Sequence, residues 1–497
     1  MRTSIVDRSS RVEPAIVGSA LLALGGAGAV IVLHGAALGW DESVYAVAAR
    51  ALLTGEVTTS VVALYRPPGL PALGTLAAIT GFEDGALRGI TLVLGVAAIA
   101  AAWFLGRATF GPRAAFTALV VGGSASVVLR ELPLFHNDLA SSGVLLLLMA
   151  LLWHELEVRG QPGLALLLAG PLAAAAFYLR YGTLAGLVGI ALVAAILWWR
   201  VLWRSRELVL ATVGLALVLV LPHFLWAISV TGSPLGIVTL SANQVDTSNP
   251  LEALRIYARL LPSQLGGPVA AVFAVAGAAL AAVVGVRQLV TGRAGSTGRG
   301  VAWLAMPALL AAAGTIAVSH AEARYVIFPL LLLVLLGAEA LWLAFDAVVA
   351  RLAPIRRAGA VPSALVNVAL VLIAGSTIGS LVLRVLRQEP AGRWVSEPAM
   401  AVARASDGSC AIAASMYPIV AWYSGCMTMN LVRITPDDLF RSGAAEHWVM
   451  LSSEDASRAS PDRREAFAAL TAEPPVASRE QGPNWSRAYR LSPPVAP

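Results

Sequence analysis

Arginine supplies all the fixed positive charge of this chain, because its 497 residues include no lysine. Charged residues of both signs make up only 13% of the sequence, whereas 58% of it is hydrophobic. A chain of this length with so little charge cannot form a single water-soluble core, and it therefore belongs among the integral membrane proteins. Heptads, solenoid repeats and long low-complexity tracts are absent, so neither a coiled coil nor a repeat architecture is indicated.

Apolar stretches recur along the first 384 residues, and their lengths predict transmembrane helices. Crossing a hydrocarbon layer of about 30 Å takes roughly 20 apolar residues in a helix, whose backbone groups pair internally. The first stretch has no cleavage site before the polar residues that follow, so it is predicted to be a retained span. The stretches at 114–129 and 139–153 are short for a full crossing, so their helices are predicted to extend into the polar residues beside them. About eleven spans are expected, at residues 15–38, 86–105, 114–129, 139–153, 163–179, 183–199, 208–230, 267–286, 301–319, 325–350 and 361–383.

The distribution of arginine predicts the orientation, because short cation-rich loops stay in the cytoplasm. With the N-terminus inside, alternate connections carry most of the arginines, and an odd number of spans places residues 385–497 outside the cytoplasm. The net charge of +6 follows from these loops and indicates contact with the lipid bilayer, with no nucleic-acid partner. High Ala, Gly and Arg content suggests a GC-rich genome, so a multi-pass protein of a bacterial plasma membrane is expected.

The C-terminal residues 385–497 differ from the rest in being rich in Asp, Glu, Ser and Pro. β-like runs at 410–415 and 447–453 and a helical pattern at 460–470 predict a small α/β extracytoplasmic domain, separate from a transmembrane domain of residues 1–384. Both cysteines, Cys410 and Cys426, lie in it. A disulfide between them is expected to add roughly 3 kcal/mol in an oxidising compartment, and two buried thiols are the alternative.

The first outside loop, residues 39–73, places the carboxylates of Asp41 and Glu42 directly after a span. Acidic residues at the lipid boundary are costly unless they have a role. Residues 41–53 predict a short helix along the interface, so capping of that helix is the alternative role of Asp41. The sequence YRPPG then brings Arg66 next to a rigid Pro-Pro turn.

A second outside loop reads LRELPLFHNDLASS and offers Glu131, His136, Asn137 and Asp138 as polar groups. Asp138 could instead cap the fourth span. The sequence FYLRYGT places Arg180 between two tyrosines, either to stack on a sugar or to join an aromatic belt at the membrane interface.

A third constellation, SHAEARYVIFPL, lies at the outside entrance of the tenth span. It packs His320, Glu322, Arg324 and Tyr325 into six residues. Arginine presents a planar fork that suits a phosphate, and histidine can donate a further hydrogen bond. The alternative is an ion pair between Glu322 and Arg324 that anchors the helix at the headgroups.

These blocks together resemble the GT-C superfamily of membrane glycosyltransferases, and within it the dolichyl-phosphate-mannose protein mannosyltransferase and aminoarabinose-transferase (ArnT-like) group. The resemblance rests on WDE at 40–42 with YRPPG at 65–69, FHNDLASS at 135–142 and HAEARYVIFPL at 320–330, and on their order and common side. It covers nearly the whole chain. It implies an all-α polytopic fold with a large first outside loop, an exoplasmic C-terminal domain and a sugar donor carried on a polyprenyl phosphate.

The resemblance also implies roles for individual residues. Asp41 corresponds to the general base with Glu42 in support, Asp138 to the second acidic position, and Arg66 to a contact with the donor phosphate. Transfer from a lipid phosphate needs a base for the acceptor hydroxyl and cations for the departing phosphate. The predicted phosphate clamp consists of Arg66, His320, Arg324 and Tyr325.

The predicted function is therefore sugar transfer from a polyprenyl phosphate to a hydroxyl of a cell-envelope glycan, lipid or exported protein, with inversion. The motif WWDYG is absent and the C-terminal domain is short, which disfavours transfer of a preassembled oligosaccharide to Asn. No cofactor is predicted, although a divalent metal between the acids is possible. The alternatives are an inactive scaffold or a lipid or solute transporter, whose charges should lie within helices; His223 is the best such residue here.

Overall fold

The computed structural model describes residues 3–55, 65–243, 249–291, 296–318, 321–351, 360–407, 409–455, 459–471 and 473–492. Helices dominate the first 405 residues, and short strands alternate with helices after them. The helices are α1 Thr3–Leu33, α2 Trp40–Thr54, α3 Gly69–Gly74, α4 Asp84–Phe110, α5 Pro112–Gly123, α6 Ser126–Glu131, α7 Asp138–Trp153, α8 Ala169–Leu179, α9 Thr183–Arg204, α10 Arg206–Thr231, α11 Gly236–Asn243, α12 Pro250–Leu260, α13 Gly267–Thr291, α14 Ser296–Val318, α15 Ile327–Arg351, α16 Ala360–Arg387, α17 Arg393–Ala405, α18 Tyr417–Ser424, α19 Pro436–Phe440 and α20 Pro461–Ala468.

Nine helices within the described residues are long and apolar enough to cross a membrane, two fewer than the sequence predicts. This confirms a polytopic helical fold. The fourth predicted stretch is a full-length candidate, because α7 continues as one turn of π-helix to give Asp138–Val158. The nine are Pro14–Leu33, Asp84–Phe110, Asp138–Val158, Thr183–Arg204, Arg206–Thr231, Gly267–Gln288, Thr297–Ala317, Ala323–Arg351 and Leu365–Arg387.

The two remaining predicted stretches are helical but short. The stretch at 114–129 is divided between α5 and α6, because Ala125 has an extended backbone after the weak helix formers Gly122, Gly123 and Ser124. The stretch at 163–179 begins as the 3-10 turn Leu164–Leu168 and ends after α8. Mean apolarity along the sequence detects both segments but not these breaks.

The chain folds into two compact units, residues 1–31 with 91–384 and residues 32–90 with 385–497. We call them the helical unit and the mixed unit. The core of the helical unit is one large apolar cluster drawn from most of its helices. Helices α13 and α15 approach each other closely, since a Cβ added at Gly337 would collide with the backbone of Phe273. Small residues permit this close packing between apolar helices.

The mixed unit contains a five-stranded sheet whose order is β2-β1-β3-β5-β4. Strands β1, β2 and β3 are parallel, whereas β5 pairs antiparallel with both β3 and β4. The predicted β runs at 410–415 and 447–453 correspond to β1 and β3, and the predicted helix at 460–470 corresponds to α20, so these predictions are confirmed. Cys410 at the start of β1 and Cys426 before β2 form a disulfide bond. The strands are β1 Cys410–Ala414, β2 Met427–Asn430, β3 Glu446–Ser452, β4 Ala477–Gln481 and β5 Asn484–Leu491.

Residues 32–90 pack with residues 385–497 in this unit, and the domain boundary at residue 384 stays a prediction. Helix α18 makes the contact. Trp422 Nε1 donates a 2.8 Å hydrogen bond to Asp84 Oδ1, and the Tyr423 hydroxyl donates to Asp84 Oδ2. Burial and then the Asp84 carboxylate raise the pKa of Tyr423, so its hydroxyl remains a donor. The Tyr423 hydroxyl oxygen also accepts a 2.7 Å hydrogen bond from the Leu38 amide.

A buried ion pair joins α2 to the start of α4. Arg88 donates from Nε and Nη2 to the two carboxylate oxygens of Glu42, at 2.7 and 2.8 Å. It also donates to the carbonyl oxygens of Ala36 at 2.6 Å and Ala37 at 3.0 Å. Glu42 in turn accepts a 2.8 Å hydrogen bond from the amide of Gly39, the residue that caps α2. The pair therefore fixes where α2 begins.

We expect Arg88→Leu to lower the thermal unfolding temperature of the purified protein strongly. Removing one partner leaves the Glu42 charge buried without its counterion, which typically destabilises a protein by about 3–5 kcal/mol. The double variant Glu42→Gln with Arg88→Leu should recover part of that loss, because no buried charge remains.

Arg113→Leu is the matched control. Its ion pair with Asp346 spans 3.8 Å and both side chains are more than half exposed, so its removal should change the unfolding temperature little. Equal melting of Arg88→Leu and wild type would contradict the structural role of the buried pair.

Candidate active site

Asp41 is the second residue of α2, and its carboxylate forms an ion pair with Arg66. The cap of the helix is Gly39, so the capping alternative for Asp41 does not describe its side chain. The Asp41 and Arg66 side chains are 17% and 23% exposed, which leaves the pair reachable from solvent. The Arg66 guanidinium lies 5.2 Å from the ring centre of Tyr65 and 5.5 Å from that of Tyr45.

The two adjacent acids of α2 have different surroundings. Glu42 is 2% exposed, and the hydrogen bonds described above occupy both of its carboxylate oxygens. Asp41 faces a partly exposed arginine instead. Of the two, only Asp41 has a carboxylate that an incoming hydroxyl can approach, and Glu42 acts on the position of the helix.

A second group of predicted site residues lies in the helical unit, around Asp138 at the start of α7. The Asp138 carboxylate forms an ion pair with Arg180, whose guanidinium lies 4.3 Å from the centre of the Tyr325 ring. Arg324 also approaches this group, with its Nε 4.0 Å from Asp138 Oδ2 and 2.5 Å from Glu322 Oε2. Five residues that sequence reasoning took from three separate segments thus meet within one unit.

Local structure explains why Arg180 reaches Asp138. The Asn137 side-chain amide, just before α7, donates a 2.5 Å hydrogen bond to the carbonyl of Leu179 at the end of α8. The next residue, Arg180, has an extended backbone that ends the helix. The Thr183 hydroxyl then donates to the carbonyl oxygens of Ala176 and Arg180. These hydrogen bonds hold the turn after α8 against the start of α7. Because Arg180 pairs with Asp138, a place in an aromatic belt at the membrane interface does not by itself explain its position.

Glu131, His136 and Asp138 are close enough to be considered as metal ligands, since their candidate ligand atoms lie within 4.8 Å of one another. His136 Nδ1 is 2.7 Å from Glu131 Oε2. However, Arg324 Nη1 lies 3.5 Å from the same histidine nitrogen, and Arg180 is paired with Asp138. Two guanidinium charges at these distances oppose a divalent cation. The cluster of Glu131, His136 and Asp138 with its two arginines therefore suits an anionic ligand better than a metal ion.

A small, half-open pocket lies beside this cluster in the helical unit. Its lining combines charged groups at one side with small and apolar residues of α9, α14 and α15. Such a combination of a few convergent polar groups with apolar walls is typical of ligand sites. The pocket is lined by Asp138, Ser141, Ser142, Leu145, Arg180, Gly182, Thr183, Gly186, Ala311, Thr315, Arg324, Tyr325, Phe328 and Pro329.

His320, the remaining member of the predicted phosphate clamp, lies outside the described residues. Sequence reasoning missed two residues that position the site, Arg88 and Asp84. The available signal was modest: both are charged residues at the start of an apolar helix, where burial of a charge needs a partner. Their partners, Glu42 and the pair Trp422 and Tyr423, are not recognisable from spacing.

Comparison with known proteins gives a family match over part of the chain. Residues 66–226 match the family described as dolichyl-phosphate-mannose-protein mannosyltransferase. This segment includes Arg66, Asp138 and Arg180. No curated protein matches the sequence.

Solved structures show the same fold. ArnT from Cupriavidus metallidurans bound to undecaprenyl phosphate superposes with a TM-score of 0.67 at 15% identity, over 95% of this chain and 97% of that one. Its apo form gives the same TM-score at 16% identity, over 97% and 98%. The apo oligosaccharyltransferase of Archaeoglobus fulgidus gives 0.56 at 12% identity, over 88% of this chain and 70% of that one.

Structural likeness at these identities establishes the fold. The fold and the partial family match agree with the resemblance that the loop motifs indicate. The chain is therefore a multi-pass membrane protein with the ArnT fold, in which residues 66–226 match the dolichyl-phosphate-mannose-protein mannosyltransferase family.

Proposed function

We propose that this enzyme transfers a sugar from a polyprenyl-phosphate donor to a hydroxyl of an acceptor in the cell envelope. The observation that carries the proposal is the partly exposed pair of Asp41 and Arg66, a base beside a phosphate-binding cation. The undecaprenyl phosphate bound by the structurally similar ArnT supports a lipid-phosphate donor.

In the proposed reaction, Asp41 accepts the proton of the acceptor hydroxyl. The hydroxyl oxygen attacks the anomeric carbon as the bond from that carbon to the phosphate oxygen breaks. The electron pair of that bond leaves with the polyprenyl phosphate, and Arg66 stabilises its charge. Attack from the face opposite the phosphate inverts the anomeric centre. Binding of the phosphate to Arg66 also weakens the resting ion pair, which makes Asp41 available as the base.

Glu42 acts as a positioning residue in this scheme. Its bonds to Arg88 and to the Gly39 amide hold the first turn of α2, and Asp41 lies in that turn. A base misplaced by about 1 Å loses much of its effect, because proton transfer requires hydrogen-bond contact. The family resemblance assigns Glu42 a supporting role. Its hydrogen bonds to Arg88 and Gly39 fit that role, because they fix the position of Asp41 in the first turn of α2.

The pocket in the helical unit is proposed to bind an anionic part of the substrate. Arg180 and Arg324 flank Tyr325, and their present partners are the carboxylates of Asp138 and Glu322. A phosphate offers the same acceptor geometry to guanidinium groups as a carboxylate does. His320 remains a proposed member of this clamp.

The proposed orientation places the N-terminus in the cytoplasm and residues 385–497 outside it. The support is the arginine distribution between alternate loops and the disulfide between Cys410 and Cys426, since disulfides persist in oxidising compartments. The proposed location is a bacterial plasma membrane.

We expect Asp41→Asn to reduce sugar transfer by roughly 10²- to 10⁴-fold, because the amide cannot accept the hydroxyl proton. Membranes carrying matched amounts of protein are assayed with labelled sugars on a panel of polyprenyl phosphates. Asp437→Asn, which alters an exposed acid of α19, is the control and should retain activity. Full activity of Asp41→Asn would refute the base assignment, and a wild type inactive with every donor would favour transport.

We expect Arg66→Gln and Arg324→Gln each to weaken the binding of undecaprenyl phosphate by roughly 10- to 100-fold, which is the loss of one hydrogen bond to a charged group. Binding is measured in detergent by native mass spectrometry. Arg200→Gln, at the exposed end of α9, should bind as the wild type does. Unchanged affinity in both site variants would remove these residues from the clamp.

The orientation of the chain in the membrane is tested with its two cysteines, Cys410 and Cys426. Membranes denatured with PEG-maleimide should show no mass shift before reduction and two additions after it, because the disulfide forms outside the cytoplasm. Cys426→Ser should show one addition under both conditions. Two additions without reductant would place residues 385–497 in a reducing compartment.

A further inference from the structure

Aromatic side chains from two distant parts of the chain surround the pair of Asp41 and Arg66 in the mixed unit. Trp40 directly precedes the acid, and Tyr65 directly precedes the arginine. The ring of Tyr417, the first residue of α18, packs edge to face against Trp40 with 5.2 Å between ring centres. All three rings are only partly buried. Helix α18 therefore contributes a side chain to the surroundings of the proposed base.

The position of Tyr417 in the sheet is characteristic of ligand-binding residues. It lies three residues after β1, at the carboxyl end of a strand between two parallel neighbours. The chain leaves β1 to form β2 on one side and returns to form β3 on the other. Ligands of open α/β sheets bind outside the carboxyl ends of strands at such a change of direction. Arg433, three residues after β2, follows the same edge.

The electrostatics of Tyr417 indicate a polar and cationic neighbourhood. Burial raises the pKa of Tyr417 and the neighbouring Tyr65 raises it further, whereas Arg433 and Arg66 lower it. The hydroxyl accordingly stays protonated and can donate a hydrogen bond, with two guanidinium groups within electrostatic reach. Arg433 is itself exposed.

This combination of groups fits a sugar. One face of a pyranose ring consists of C–H groups with slight positive charge, which pack against the negative face of an aromatic ring. The hydroxyls around the ring edge, and any acidic substituent, can accept hydrogen bonds from a phenol or a guanidinium. A purely apolar ligand would leave these donors without partners, at a cost in affinity.

We propose that Trp40, Tyr417 and Arg433 form the acceptor subsite, which binds a sugar ring that carries or adjoins the reacting hydroxyl. The inference rests on the proposed function, since Asp41 must take the proton of that hydroxyl. Arg66 is assigned to the donor phosphate, whose lipid chain requires the membrane. Tyr417 and Arg433 instead follow strands β1 and β2, in a part of the chain (residues 393–492) that has no candidate span among its described residues, so their ligand is the water-exposed reactant.

The test separates acceptor binding from donor binding. Initial rates of transfer are measured for Tyr417→Ala, Tyr417→Phe and Arg433→Gln at saturating donor, with a titrated glycan and lipid extract of membranes that lack the enzyme. We expect the half-saturating amount of extract to rise roughly 10-fold for Tyr417→Ala and Arg433→Gln with kcat little changed. Tyr417→Phe keeps the ring and should restore most of the affinity.

The second measurement is the Kd for undecaprenyl phosphate without extract, which should match wild type in all three variants. Arg404→Gln, an exposed arginine of α17 in the same unit, is the control and should change neither quantity. Weaker binding of undecaprenyl phosphate, wild-type saturation by extract, or a fall in kcat together with the unfolding temperature would each overturn the acceptor subsite.

The two proposals fail in different ways. A wild-type enzyme that transfers nothing from any donor overturns the proposed function, and the acceptor subsite with it. A wild-type enzyme that transfers sugar, with Tyr417 and Arg433 variants that saturate normally, overturns the acceptor subsite alone.

Discussion

The buried ion pair between Glu42 and Arg88 is the interaction on which the site in the mixed unit depends. A guanidinium removed from water is tolerated only when its donors find partners. Arg88 finds two carboxylate oxygens and the carbonyls of Ala36 and Ala37. One side chain thereby joins the segment between α1 and α2, the start of α2 and the start of α4, and it fixes the turn that presents Asp41.

Adjacent carboxylates in this turn illustrate how a helix separates roles. Consecutive residues of an α-helix point about 100° apart, so Asp41 and Glu42 face different surroundings although they are neighbours in sequence. Glu42 faces the interior and Arg88, whereas Asp41 faces the more exposed Arg66. The dyad that the sequence suggests is therefore one reactive group and one structural group.

Motif order predicts much of the site in the helical unit. Asp138, Arg324 and Tyr325 were all identified from the sequence, and the structure brings them together around one pocket. Arg180 was predicted only as a choice between sugar stacking and a membrane belt. Its ion pair with Asp138 depends on a hydrogen bond from Asn137 to the end of α8, a contact between segments about forty residues apart that no local pattern encodes.

The membrane class, the helical fold and the small sheet can be predicted from the sequence alone, because each follows from local composition or periodicity. Among the described residues nine helices are long enough to cross a membrane where about eleven stretches are predicted, since the break at Ala125 lies in backbone geometry and not in apolarity. Only the tertiary structure decided that the first loop and the sheet form one unit, joined where Asp84 accepts hydrogen bonds from Trp422 and Tyr423. Partners more than three hundred residues apart leave no periodic signal; they are selected by burial and by the need of buried polar groups for hydrogen bonds.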